Sequence, residues 1–436
     1  MLRSARPTGE PAVLPRSLWA ATAVDAPAVE PLRADSQVDV AIVGGGILGL
    51  STALHLAERS VRVLLVEGAH IGWGASGRST GQLMPGLKND PDEVERQLGP
   101  EAGGRLVQWA GDAPARVLEL IARHGIACEP VRAGRIQAAH SPQALEAIER
   151  RAAQWRARGV PVQVLGREEL RARTGSGLFS GGWLDPRGGS VQPLSYARGL
   201  ARAALRAGAR LHAPTRAVGL QRWGGGWRLQ TDGGTVSART VVVATNAYSG
   251  PLLPALRRSV VPVRTTLAAS RPLPAALLAR ILPGREVLSD TRRLPASVRL
   301  SPDGRLIVGG RDATAGAEHP RQARYVREAA QQLFPDIDPP EWEYVWSGCM
   351  AMTKDALPHL YEPEPGLLAG VGCNGRGIAV ATGMGLTIAQ HVLGRPASEA
   401  EVPVSRFDPY LLHAFRHAGV ALATRWMRHR DGKAAA

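Results

Sequence analysis

The chain has 436 residues, 44% apolar and 21% charged, enough for two or three globular units and too ordinary for a disordered, collagenous or coiled-coil protein. Its 53 Lys+Arg against 38 Asp+Glu give +15, but almost all the basic residues are arginines set singly beside acids, as in Glu146, Glu149, Arg150 and Arg151, so a nucleic-acid partner is not expected. The cysteines, Cys128, Cys349 and Cys373, are far apart, which argues against a disulfide framework or a bound metal and suits a reducing, cytoplasmic setting.

Residues 1–37 are interrupted by Pro7, Pro11, Pro15, Pro27 and Pro31 and read as an irregular arm without the apolar core of a signal peptide. Val38 to Val43 is a β-branched run that ends in three glycines, a periodic helix follows through Leu50, Ala53, Leu54 and Ala57 to Arg59, and Val61 to Glu67 is a second buried strand. Such a βαβ unit opens a doubly wound parallel sheet. From Asp90 to Arg173 the pattern is mainly helical, with Ser141 as an N-cap, Pro142 in the first turn and Gly159 as a stop. Pro193 opens another helix that ends at Gly208. Short strands follow over 209–212, 217–222, 227–231 and 240–244, with turns at Gly224-Gly225-Gly226 and Asp232-Gly233, and residues 260–311 read as β through Leu306 to Arg311. A helix covers 321–333, and 366–393 is strand, loop and helix. The uncharged run Gly377 to Leu393 is shorter than the roughly 20 apolar residues that a membrane span needs, so no stable insertion is expected.

Gly44-Gly45-Gly46-Ile47-Leu48-Gly49 is a G-x-G-x-x-G between a strand and a helix, with Glu67 at the end of the next strand. Gly44 suits the tight turn, Gly46 the close approach of a pyrophosphate, and Gly49 the packing of helix on strand. The phosphates would face the N–H groups of the helix start, and Glu67 would accept from the ribose hydroxyls. The spacing recurs at Gly370, Gly372 and Gly375 without a following strand that ends in an acid, so no second dinucleotide domain is expected.

Four segments in order resemble the D-amino-acid-oxidase-type FAD oxidoreductases: Gly44 to Glu67; Gly72-Trp-Gly-Ala-Ser-Gly-Arg78 with Gly81-Gln82; Thr240-Val-Val-Val-Ala-Thr-Asn-Ala-Tyr248; and Gly375-Arg-Gly-Ile378. The resemblance implies an α/β fold: a discontinuous, doubly wound, Rossmann-like FAD domain over 38–89, 186–250 and 345–400, with an α+β, β-rich substrate domain over 90–185 and 251–344. Residues 1–37 would then be an arm and 401–436 a helical tail. It further implies FAD held without a covalent bond by Gly44, Gly46, Ile47, Gly49 and Glu67, by Gly74, Ala75, Ser76, Arg78, Gly81 and Gln82, by Val218, Ala244 and Thr245, and by Gly375, Gly377 and Ile378. The Gly375 to Ile378 helix start would stabilise the anion of a reduced flavin. Cys349 stands one residue from the place where sarcosine-oxidase relatives tether their flavin.

The stretch Trp346-Ser-Gly-Cys-Met-Ala-Met-Thr-Lys-Asp355-Ala-Leu-Pro-His359 resembles the γ-glutamylputrescine oxidoreductase-like branch. Met350 stands where glycine-oxidase relatives carry a carboxylate-binding arginine, and Ala379 where sarcosine-oxidase relatives carry a lysine. The resemblance thus implies hydride transfer from the carbon of a small-molecule amine, with imine and then aldehyde as products and oxygen or a quinone as acceptor. Trp346, His359 and Arg311 are catalytic candidates, and Trp73, Trp183, Tyr248, Trp346 and His359 could line the pocket. By strand alignment Ile307 holds the place of an oxygen-activating lysine. Rival expectations are an amino-acid or N-methyl-amino-acid oxidase with Arg311 or Arg264 as clamp, and an RNA-associated flavoprotein.

Overall fold

The computed structural model describes residues 12–311, 320–335 and 341–434. Among these residues the first sheet has nine strands, ordered 404–405, 359–364, 367–371, 235–243, 36–43, 63–66 and 210–212, with strands 217–223 and 226–231 attached beside 235–243. Its centre is parallel: Val40 pairs with Val63 and Thr240, and Val43 with Val66 and Val243. These strands are short apolar runs because both faces are covered. Helices Ile47–Ala57, Pro193–Arg206 and Gly377–Val392 contribute to the large core that includes Leu50, Leu54, Leu200 and Ile388.

The second sheet has eight strands, ordered 342–352, 261–272, 305–311, 297–300, 287–290, 135–139, 181–185 and 163–165, all paired antiparallel except 287–290 with 135–139. It packs its own core of Ile136, Leu288, Val298 and Val308. The chain is therefore α/β, with a doubly wound sheet and a second, mainly antiparallel one. Ser141 caps its helix through Ala144 N, as the sequence suggests, and Pro142 follows. Among the described residues no helix is long and apolar enough to cross a membrane.

Two expectations change. The mainly helical stretch 90–173 contains strands Arg135–Ala139 and Gln163–Leu165, which are too short to show a period and are stabilised by pairing with Gly181–Asp185. The N-terminal arm is not irregular throughout. Leu18–Thr22 forms a helix capped by Ser17, and Trp19, 1% exposed, lies edge-on to Trp346 at 5.8 Å and donates from Nε1 to Ser79 O at 2.8 Å. A five-residue helix between prolines leaves almost no periodic signal.

Candidate active site

A cavity of about 1100 Å³ runs from the Gly44 turn to the face of the second sheet. At its first end Gly44 has φ +115°, where a side chain would be strained and a Cβ would meet Ala244 O at 2.9 Å. Gly46 is the N-cap of Ile47–Ala57 and has no side chain with which to cap it, so first-turn N–H groups face the cavity. Ser76 Oγ accepts one of them, from Ile47 N at 3.0 Å. Glu67 is held beside the turn by Gly45 N at 2.7 Å and Ala69 N at 2.8 Å. Val218, 59% exposed, and Thr215 line this end.

Midway, Gly74, Ala75, Ser76 and Arg78 face Ala244, Thr245 and the start of helix Gly377–Val392. Gly375, Gly377 and Ile378 lie on the wall, and Arg376, the N-cap, makes no side-chain capping bond. Asn374 braces this loop: its Nδ2 donates to Leu357 O at 3.0 Å and its Oδ1 accepts from Thr353 N at 3.0 Å. Trp73 and Tyr248 meet edge to face at 5.2 Å. Arg78 lies over Trp73, 4.6 Å from the ring centroid, and its Nε donates to Trp73 O at 2.8 Å, so this guanidinium ties the loop together. Gln82 lines the wall while its Nε2 donates to Val298 O at 3.2 Å.

The far end is built from the second sheet. Arg135, Gln137, Ser289, Asp290, Thr265 and Leu267 line it, joined by Arg376, Lys88, Arg151, Arg292 and Arg293. Met427 reaches the wall from helix Arg416–Ala434, which is fastened where Asp431 accepts from Arg293 N and Leu294 N, both at 3.2 Å. Burial, then the neighbouring Arg151, pulls Arg135 down to about 10. Burial, then Arg135 and Arg151, pulls Arg376 well below the usual guanidinium value. Burial pushes the Asp290 carboxyl up to about 6 against the attraction of Arg292, whose Nη1 lies 2.7 Å from Oδ2.

Several residues singled out in the sequence fall elsewhere. Trp346 is fully buried and donates from Nε1 to Arg78 O at 2.9 Å, His359 pairs with Asp355 at 3.0 Å and stacks on Tyr361, and Trp183 sits in the core, so none of the three lines the cavity. Gly49 is off the wall because it packs on the turn, where a Cβ would stand 2.1 Å from Gly44 O. Gly81 is off it too: it takes φ +79° against Val191 O and Arg299. Arg264 donates to Ser347 Oγ at 2.8 Å outside the wall. Arg311 ends strand 305–311, and its side chain lies outside the described residues. Ile307 packs among Trp19, Leu267 and Trp346, so it does not hold a place on the cavity wall.

Met350 and Cys349 do line the cavity. The arginines, read as scattered, converge at the far end because separate elements fold together there. The sequence held one usable signal. In Arg135-Ile-Gln-Ala-Ala139, strand alternation puts Arg135 and Gln137 on one face, opposite Ile136 and Ala138 of the core.

A glycine turn opening onto a helix start, an acid fixed beside it and a cavity continuing to a second sheet together define a dinucleotide-dependent enzyme. Residues 39–391 match the DAO family, FAD dependent oxidoreductase, and the chain belongs to it. Its cofactor is FAD, and the residues present fit it: the cradle at Gly46 is open, and a Cβ there would stand only 2.9 Å from Ser76 Oγ. The chain is 32% identical to the probable oxidoreductase OrdL of Rhizobium meliloti (strain 1021) over 95% of its own length and 97% of that protein's. It is 29% identical to the gamma-glutamylputrescine oxidoreductase of Escherichia coli (strain K12), with 90% and 91% covered. The crystal structure of glycine oxidase from Geobacillus kaustophilus superposes with a TM-score of 0.70 at 28% identity, covering 86% of this chain and 97% of that one.

Proposed function

We propose that this protein oxidises the carbon–nitrogen bond of an amine borne on an extended molecule; the E. coli relative is named as an oxidoreductase of γ-glutamylputrescine. The observation that carries the reading is Met350 on the wall of a cavity of about 1100 Å³. A thioether stands where the family resemblance puts the cation of a compact amino acid, and the volume lies just above the range of ordinary ligand sites, roughly 300–1,000 Å³, room for a long cofactor and a chain-like substrate.

When bound, FAD supplies the acceptor for a hydride from the carbon beside the nitrogen. The residues of the chain do the rest. Gly44, Gly46, Ser76 and Glu67 hold the dinucleotide end, and the start of helix Gly377–Val392 turns its positive end toward the middle of the cavity. Trp73 and Tyr248 give the reacting end an aromatic wall that excludes water and fixes the amine. The nitrogen must be neutral when its lone pair forms the C=N bond. The ammonium proton passes to solvent before the amine reacts, since the two carboxylates on the wall among the described residues, Glu67 and Asp290, stand at its opposite ends. Water then hydrolyses the imine to an aldehyde, releasing the nitrogen as ammonia or an amine.

Oxygen or a quinone takes the electrons in this reading, and the protein works in a reducing compartment such as the cytoplasm, which the wide spacing of Cys128, Cys349 and Cys373 along the chain supports. The test is anaerobic mixing of purified protein with a panel of amines, following bleaching of the flavin absorbance. Reduction by γ-glutamylated or other long-chain amines is expected. Reduction by D-amino acids alone would replace the reading with amino-acid oxidation.

A further inference from the structure

Arg135 opens strand Arg135–Ala139 of the second sheet, while Arg376 precedes helix Gly377–Val392 of the first, and the fold brings both onto the far wall of the cavity. Arg135 is 4% exposed and Arg376 8%. Each donates to a neutral acceptor only: Arg135 Nη2 to Ser289 Oγ at 3.0 Å and Arg376 Nη1 to Pro85 O at 3.1 Å. Arg135 Nε is buried without any partner. Among the described residues no carboxylate lies within 4.0 Å of either guanidinium, in contrast to Arg151, which pairs with Asp90. The counter-charge both feel, Asp185, is already bound in a fork by Arg187 at 3.0 and 2.7 Å.

Two like charges buried together and left unneutralised are costly to the fold, and such an arrangement becomes favourable when an anion binds between them. The guanidinium fork matches a carboxylate in shape and charge, and in a water-poor cavity that bond is strong. Gln137 stands on the same strand face, and its Oε1 accepts from Trp183 Nε1 at 3.3 Å, which leaves its amide NH2 to donate.

We propose that Arg135 and Arg376 form an anion subsite, and that the substrate is an amine that also carries a carboxylate, seated on this pair with its reacting C–N bond toward the Trp73 and Tyr248 wall. Which end reacts rests on the amine-oxidation reading above; the anion subsite does not. It also differs from a clamp built at Met350, which lies on strand 342–352, because the cations come from strand Arg135–Ala139 and a helix N-cap.

The test is calorimetric titration of the flavin-loaded protein with glutarate, glutaramide and inorganic phosphate. Glutarate is expected to bind at least tenfold more tightly than glutaramide, and Arg135→Gln or Arg376→Gln to erase that preference while keeping the flavin content; Arg135→Lys should restore part of it. Phosphate binding as tightly as glutarate would assign the pair to a phosphorylated substrate and overturn the carboxylate. Equal binding of glutarate and glutaramide by the unmodified protein overturns the subsite, even if a variant fails to fold. Glutarate binding alongside a flavin that no amine reduces would overturn the amine-oxidation reading and leave the subsite standing.

Discussion

Replacing Gly46 by valine separates folding from cofactor binding. Gly46 has φ −84° and ψ 178°, an extended conformation that valine adopts without strain. Its new Cβ would meet only Ser76 Oγ, at 2.9 Å, the end of a side chain that can turn away. Turning it away breaks the bond from Ile47 N to Ser76 Oγ, worth about 1 kcal/mol. The apo protein should therefore stay folded, with a stability loss on the order of 1–2 kcal/mol. The branched side chain fills the cradle at the helix start, and FAD affinity should fall at least ~100-fold, or about 2.7 kcal/mol. The contrasting variant is Gly49→Ala, whose Cβ would lie 2.1 Å from Gly44 O, a backbone atom with nowhere to go. That change should lower the melting temperature of the apo protein as well as its flavin content. The assay combines the flavin-to-protein absorbance ratio, FAD titration by fluorescence quenching and thermal melts of the apo forms. Gly46→Val with a full complement of flavin would refute the cradle.

Trp19→Ala should destabilise the protein by about 3–5 kcal/mol, because it empties a buried site against Trp346 and removes the bond to Ser79 O; a shift in urea midpoint equivalent to less than 1 kcal/mol would show that the arm is dispensable. Asp290 is raised from 3.8 to about 6 in the fold, so its contribution is fully present below pH 4 and is lost as pH rises through 6, about 3 kcal/mol for two units. Asp290→Asn should flatten that part of the stability curve, and unchanged pH dependence of denaturant midpoints between pH 4 and 7 would contradict the assignment. Acid or heat should release FAD intact, and mass spectrometry should find the chain without a flavin adduct at Cys349; an adduct would overturn non-covalent binding.

The amino-acid sequence alone determined the family and the dinucleotide turn, because that turn is local. Strand, glycines, helix and Glu67 follow one another within a single βαβ unit, and the bonds to Glu67 from Gly45 N, 22 residues away, and from Ala69 N, two away, both fall within that unit or at its edge. The same locality made the Ser141 cap readable. What only the tertiary structure decided is the substrate end. His359 and Trp346 stand in a stretch with a strong family resemblance, yet one pairs with Asp355 and the other plugs the core against Trp19, since side-chain direction on a strand depends on which face the fold buries. Arg135 and Arg376 carried no shared motif. They meet because two sheets pack across one cavity, and the electrostatic cost of burying them together exists only once that packing has formed.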